Sequence, residues 1–316
     1  MADESNFEYI LALKSAWYYY IENMTQQEIA ASLGVSRMRV VKLLDYARHN
    51  GIIQFRFRSG QFSRMELEQN FKKRWKLRDV FIVPIASDVA DVNESLGKAA
   101  AMYLADQIHE DCYVNWGHGH TLNLTLTNLL QMCDYHLSII GLTGGVDYYL
   151  PRSQTSYSDV KLYAIPAPLI MSSAEAAAMI RAEKSVQEIF DMIWHASMTV
   201  VGIGGMNPSA TLLKNGTMTN NDFLLLSMRG AVGDILSQFI DRNGEKVHSA
   251  FDDCMVSISL EVLRSLDNVI GIAGGVNKAA AIRATLEGGY LNRLIIDEET
   301  ARLIMESEET PASSGT

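Results

Sequence analysis

Three cysteines in 316 residues, Cys112, Cys133 and Cys254, are too scattered for a disulfide framework and lack metal-ligand spacing. They read as reduced small hydrophobes of a cytosolic protein. No apolar run approaches the ~18 residues that a membrane span needs, so no membrane partner is expected. The N-terminus, MADESNFEYI, has no cationic segment ahead of an apolar one, which argues against a secretory signal and for a cytoplasmic location. No GxGxxG is followed by an acid about twenty residues on, so a nicotinamide is not expected, nor any other cofactor. An excess of positive charge is missing as well. The net charge is −10, which on its face argues against nucleic acid.

The distribution of charge reverses that inference. Residues 36–78 hold twelve Lys and Arg against three acids, a local +9, and the remainder carries −19. A basic segment on an acidic body suits DNA binding, because the acidic body discourages indiscriminate contact with phosphate backbones. The length suffices for about two domains. With 48% hydrophobic and 20% charged residues, the composition is that of a globular protein with a substantial core.

Residues 24–53, MTQQEIAASLGVSRMRVVKLLDYARHNGII, carry the strongest motif. Thr25 and Glu28 have the spacing of a capping box, and Ile29, Ala30 and Leu33 follow as the apolar stripe of a short helix. Gly34 can end that helix in a left-handed conformation. Ser36 then caps a second helix, whose Val40, Leu43, Leu44 and Ala47 recur at helical spacing. This is the pattern of a helix-turn-helix. The second helix would present Ser36, Met38, Arg39 and Lys42, with Arg37 on its flank, to base edges and phosphates of the major groove. Thr25, Gln26 and Gln27, at the start of the first helix, complete the expected DNA-binding set. The bland alternative is an ordinary helical hairpin with a basic face.

Upstream, residues 7–22 form a strongly apolar helix expected to pack in the DNA-binding domain, with Tyr18–Tyr20 in its core rather than stacking on bases. The alternation in residues 52–58 (IIQFRFR) predicts a half-buried strand with Arg56 and Arg58 on one face, either a wing touching DNA or a plain edge strand. Residues 63–76 predict a linker helix whose Met65, Leu67, Phe71 and Trp75 can pack. Its Lys72, Lys73, Arg74 and Lys76 could assist DNA binding or simply be solvated. The expected domains are therefore 1–58 (DNA binding), 59–78 (linker helix), 79–305 (effector binding and oligomerisation) and 306–316 (a disordered tail).

From Asp79 onward, short β-branched runs alternate with helical stretches. Strands are expected at 80–85, 112–116, 137–142, 160–165, 198–204, 268–274 and 291–297. Helices are expected at about 93–108, 121–132, 173–195, 220–240, 256–265 and 277–287. The alternation implies an α/β domain, a doubly wound and mostly parallel sheet, whose ligands bind beyond the carboxyl ends of the strands.

Four of those strands run into glycine-rich turns: NWGHGHT (115–121), GLTGGV (141–146), VGIGGM (201–206) and GIAGGV (271–276). Glycines there let backbone amides approach ligand oxygens closely, although each alone could be a tight turn. The expected effector-binding residues are Gly117, His118, Gly119, His120, Thr121, Gly144, Gly145, Pro166, Gly204, Gly205, Asp234 and Lys278. His118 and His120 could supply two metal ligands, but His136, His195 and His248 are isolated in sequence, so no metal is expected. Asp234 is read as opening a helix, either accepting ligand hydroxyls or merely capping. Lys278 starts a helix, where a cation is electrostatically misplaced unless it serves a ligand.

Taken together, MTQQEIAASLGVSRMRVVKLL, YAIPAPL, VGIGGM, RGAVGDILSQFIDRNG and GIAGGVNKAAAIRATLEGGYLNRLIID resemble the SorC/DeoR-type sugar-responsive transcription regulators over essentially the whole chain. The resemblance implies an effector domain related to sugar-phosphate isomerases but used for sensing. It also implies homo-oligomers, dimers or tetramers, that bind double-stranded operator DNA near catabolic genes and respond to a pathway sugar or its phosphate. Asp234 and Lys278 fall on the family's ligand-site Asp and Lys, while Gly117–Thr121 replaces its GxSxGxT phosphate loop and loses the serine hydroxyl. The expected function is a non-enzymatic repressor of a carbohydrate or polyol operon, controlled by a sugar, a sugar phosphate or an unphosphorylated polyol such as erythritol. A sugar-phosphate isomerase or deaminase fused to a DNA-binding domain is the alternative.

Overall fold

The computed structural model describes residues 2–54, 61–84, 92–132, 136–145, 160–208, 210–214 and 216–306. The expected strand residues Phe55–Arg58, the 307–316 tail and Cys133 lie outside them. The chain divides into two compact units, residues 1–62 and 63–316.

The first unit comprises α1 (Ala2–Tyr20), α2 (Gln26–Leu33) and α3 (Arg37–His49). Both ends of α2 form as its residues dictate. The Thr25 hydroxyl accepts from the Glu28 amide at 3.3 Å, Glu28 accepts from the Thr25 amide at 2.8 Å, and Gly34 turns the chain at φ 67°. Ser36 caps α3 by accepting from the Arg39 amide at 3.2 Å. Ile29, Ala30, Val40, Leu43, Leu44 and Ala47 close a small core with Ala12 and Ala16 of α1, and Tyr18 and Tyr20 pack against it. The bulky residues of α1 behave differently: Phe7, Ile10, Leu13 and Trp17 stay exposed.

The second unit begins with α4 (Gln61–Trp75), whose Leu67 and Phe71 are buried in its core while Met65 is exposed. The order is then β1 (Asp79–Val83), α5 (Val92–Ala105), β2 (Tyr113–Trp116), α6 (His120–Met132), β3 (Leu137–Gly144), β4 (Val160–Ile165), α7 (Ala174–Ala182), α8 (Lys184–Met192) and β5 (Met198–Gly202). After these come β6 (Gly204–Gly205), α9 (Thr211–Lys214), α10 (Asn220–Met228), β7 (Gly233–Ile235), β8 (Gln238–Ile240), α11 (Leu260–Ser265), β9 (Val269–Ile272), α12 (Ala279–Glu287), β10 (Arg293–Asp297) and α13 (Glu298–Glu306).

Seven strands form one parallel sheet in the order β1-β10-β9-β5-β2-β3-β4. Its strands feed two hydrophobic layers by simple alternation. In β10, Leu294 and Ile296 face the α4, α11, α12 and α13 side, and Ile295 faces the α5 and α6 side. All seven lie where the apolar runs predict them, shorter by a few residues at some ends.

Three expectations are corrected. The helix expected over 173–195 is two, broken where Glu183 takes an extended conformation (ψ 133°). The helix expected over 220–240 ends at Met228, and Gly230 at φ 92° leads into the β7–β8 hairpin. Asp234 therefore sits on a strand and opens no helix. A Cβ at Gly233 would stand 2.3 Å from that of Ala281, so the close packing of this hairpin on α12 needs glycine there. Finally, α13 was not foreseen; it covers the sheet through buried Ala301 and Ile304.

Candidate functional site

The strand order reverses between β2 and β5, and at such a switch point adjacent loops leave in opposite directions and open a crevice. A cleft of about 740 Å³ occupies this position. Of the expected effector residues, His118, Gly119, His120, Thr121, Gly204, Gly205, Asp234 and Lys278 line it together. Gly117, Gly144, Gly145 and Pro166 are not in its lining. The Gly117 amide donates to Val200 O at 2.7 Å and holds β2 to β5. Gly144 lets the chain pass the carbonyls of Ala167 and Pro168, 2.7 and 2.5 Å from where a Cβ would stand, and the Gly145 amide donates to Ala167 O at 2.7 Å. Pro166 is exposed. The three glycines thus serve strand-end packing.

Asp234 and Lys278 are the charged pair of the cleft. Burial pushes the Asp234 carboxyl up to about 6, against the downward pull of the Ser237 amide and of Lys278. Burial likewise lowers the Lys278 ammonium, and Asp234 opposes that shift. Asp234 Oδ2 accepts from the Ser237 amide at 3.2 Å. Its placement depends on Gly204, where a Cβ would fall 1.9 Å from Asp234 Oδ1. Gly205 similarly leaves room for Asn207 Nδ2 and the Lys278 side chain, 2.8 and 3.3 Å from a Cβ built there.

The hairpin tip that carries Asp234 is unusual. Leu236 and Ser237 form its two-residue turn with φ of 51° and 64°, a left-handed geometry that ordinarily selects Asn-Gly. Such non-glycine residues cost on the order of 1–3 kcal/mol each and persist only where their surroundings hold them. His118 supplies part of that hold. Its Nε2 lies 3.1 Å from Ser237 Oγ and its Nδ1 3.2 Å from Thr143 Oγ1, whose hydroxyl is also 3.0 Å from Gly144 O. A neutral imidazole satisfies this chain, with Nδ1–H donating to Thr143, Thr143 to Gly144 O, and Ser237 to Nε2. Burial enforces the neutral form by lowering the His118 pKa to about 4.

His118 thus braces the wall, with both nitrogens turned to hydroxyls, while His120 is exposed at the start of α6. Among the described residues no group of three or more His, Cys, Asp or Glu could hold a metal ion. The first residues of α6, His120, Thr121 and Leu122, line the same cleft, and Thr121 Oγ1 donates to Asn93 Oδ1 at 2.8 Å. Sequence reasoning missed Asn93, Asn207, Lys214, Gly275 and Asn277, which also line the cleft. Gly275 and Asn277 belong to or adjoin the GIAGGV turn, which was visible; Asn93 comes from the start of α5 and carried no signal.

In the first unit, Thr25, Gln27, Ser36, Arg37, Met38, Arg39 and Lys42 are exposed and Gln26 is half-buried. Arg37 Nε donates to Gln26 Oε1 at 3.3 Å, and Arg39 pairs with Glu8 of α1 at 3.0 Å. Thr25, Gln26, Gln27 and Arg37 share a concavity with Tyr19 and Tyr20. Of the linker cations, Lys72 pairs with Asp79 at 3.3 Å and Arg74 with Glu287 at 3.5 Å.

Comparison with known proteins agrees with both units. Residues 59–306 match the family described as "Putative sugar-binding domain", and residues 17–50 match sigma-70 region 4. The transcriptional regulator LsrR of Enterobacter sp. (strain 638) is 32% identical, over 96% of this chain and 97% of its own length. LsrR of Escherichia coli K12 is also 32% identical, over 92% and 93%. The crystal structure of the full-length sorbitol operon regulator SorC from Klebsiella pneumoniae has the same fold, with a TM-score of 0.67 at 23% identity over 93% of this chain and 98% of that one. With a helix-turn-helix in one unit and the sugar-binding family matched over the other, the chain belongs to the SorC-type sugar-binding transcriptional regulators.

Proposed function

We propose that the protein is a cytoplasmic repressor of a carbohydrate or polyol operon, released from its operator when a small polyhydroxylated effector enters the cleft of the second unit. The observation that carries this reading is the convergence of Asp234, Lys278 and the first turn of α6 on one crevice at the sheet's switch point. A carboxylate beside a cation accepts from and donates to vicinal hydroxyls. Helix-start amides add donors for further oxygens, including those of a phosphate. The cleft volume of about 740 Å³ accommodates a sugar, a polyol or a monophosphate of either. The effector controls DNA affinity only through its different affinity for two arrangements of the protein. α3 reads the major groove through Arg39, Lys42, Met38 and Ser36, with Arg37, Thr25, Gln26 and Gln27 along the phosphates, and copies of the chain occupy symmetric half-sites.

The test is fluorescence anisotropy with labelled DNA from upstream of the protein's own gene cluster, repeated with free polyols, free sugars and their phosphates. Release by one compound supports the proposal, and its phosphate content identifies what the GHGHT loop accepts. Tight binding that no member of the panel alters counts against effector-relieved repression. Turnover of hexosamine or pentose phosphates in a coupled assay would overturn the sensing-only role.

A further inference from the structure

A carboxylate buried without a cation is costly, and Asp297 at the end of β10 is one. It is 2% exposed, and among the described residues no Lys, Arg or His pairs with it. Backbone amides satisfy it instead. Oδ1 accepts from the Thr300 amide at 2.9 Å and caps α13, a task that Ser173 and Ser259 perform with one oxygen at α7 and α11. The cap leaves the second oxygen to account for: Oδ2 accepts from the Gly275 amide at 2.8 Å. The approach is close. A Cβ at Gly274 would stand 2.3 Å from Oδ2 and 2.5 Å from Leu96 Cδ1, and Gly275 takes φ 96°, so two glycines let this turn settle on the carboxylate.

From Gly275 the chain runs directly into the single turn Val276–Lys278, whose Lys278 amide donates to Gly275 O at 2.8 Å. Gly274, Gly275, Asn277 and Lys278 line the cleft, whereas Asp297 does not. We propose that Asp297 is a positioning residue of the effector site, anchoring the Gly275 turn and so setting where Asn277 and Lys278 stand. The inference rests on the effector-binding role proposed for the cleft. Asp297 acts through one backbone amide and touches no effector. A charged acceptor suits the task, because its bond to an amide is about twice as strong as a neutral one. The same carboxylate fixes the start of α13, so the turn is referenced to a strand end and a helix, two rigid elements.

Asp297→Ser separates the two bonds, since a serine hydroxyl keeps the cap on α13 and is too short to reach Gly275. Hydrogen exchange of the full-length protein, with neither effector nor DNA, is expected to quicken about tenfold in residues 273–279 and to stay unchanged in β5 and α13. Unchanged exchange in 273–279, or a rise shared by β5, overturns the anchor. Glu298→Gln, which breaks the neighbouring links to Arg64 and Arg302 and spares both Asp297 bonds, is expected to exchange like the unsubstituted protein. An equal rise there also overturns the anchor. The functional readout is operator release by erythritol, ribose and ribose 5-phosphate. Asp297→Ser is expected to need roughly tenfold more of the active compound, with operator affinity kept within about twofold. An unshifted dose–response overturns the positioning role. The exchange arm needs neither effector nor operator, so a local rise at 273–279 in a protein that none of the three compounds releases from DNA upholds the anchor and counts against the repressor reading alone.

Discussion

Replacing Gly204 by Ala tests the architecture of the cleft with one methyl group. The added Cβ would lie 1.9 Å from Asp234 Oδ1 and 2.8 Å from Asp234 Cγ, well inside contact distance, so the carboxylate has to rotate away. Rotation withdraws Oδ2 from the Ser237 amide and moves the charge relative to Lys278. A hydrogen bond to a charged group is worth about 1.5–3 kcal/mol, so an effector relying on one such bond to Asp234 should bind roughly 10- to 150-fold more weakly. Gly202 in the same wall is the matched control: a Cβ there meets His118 O and Leu122 Cγ at an ordinary 3.6 Å. The assay is calorimetric titration, with the compound that releases the unsubstituted protein, of Gly204→Ala and Gly202→Ala side by side, with operator binding measured in each. The expected result is a loss confined to Gly204→Ala with DNA affinity retained in both. An unaltered effector affinity in Gly204→Ala would show that the carboxylate is not where the ligand binds.

Lys278→Ala should keep operator binding and lose effector-induced release; a normal dose–response would remove Lys278 from the ligand site. Arg39→Ala should weaken operator binding and leave effector-induced thermal stabilisation intact, whereas Glu8→Gln, which frees Arg39 of its 3.0 Å partner, should strengthen binding several-fold in the same anisotropy titration. The cleft's pH response is a cancellation. With its pKa raised from 3.8 to about 6, Asp234 holds more protons folded than unfolded between those values, so its contribution to stability falls as pH rises through that window. His118, lowered from 6.5 to about 4, holds fewer protons folded than unfolded, so its contribution rises with pH from about 4 to 6.5. Each amounts to roughly 3 kcal/mol at 1.36 kcal/mol per pH unit. Urea unfolding of the second unit should therefore show stability falling from pH 4.5 to 6 in His118→Gln and rising in Asp234→Asn; identical slopes in the two variants would contradict this account.

The parts of this fold that could be read in advance are those in which one local rule dominates. The strands around Val200, Ile270 and Ile295 are buried on both faces, so near-continuous apolar runs mark them without ambiguity. Two helices of the first unit, α2 and α3, carry their own caps. The β7–β8 hairpin was concealed because its turn is Leu236-Ser237 instead of Asn-Gly, and because it is held in part by a tertiary bond from His118, invisible in a linear pattern. The helix break at Glu183 has no Pro or Gly to mark it. In the cleft, glycine turns mark Gly204, Gly205, Asp234 and Lys278, which the fold gathers in one lining. The glycines at 144 and 145 carry the same signature for a different reason, since two passing backbones need that space as much as a ligand would.

Asp297 ends β10 with one oxygen on each side of a boundary. Its Oδ2 accepts from the amide of Gly275 in the cleft wall at 2.8 Å, and its Oδ1 accepts from the Thr300 amide in the first turn of α13 at 2.9 Å. One residue along, Glu298 meets Arg64 of α4 at 3.3 Å, and Arg302 reaches Ser63 at 2.8 Å. The Gly275 turn of the cleft wall and α4, the first helix of this unit, are thus moored to neighbouring residues at a single strand end. Only one carboxylate and one helical turn separate the cleft wall from α4.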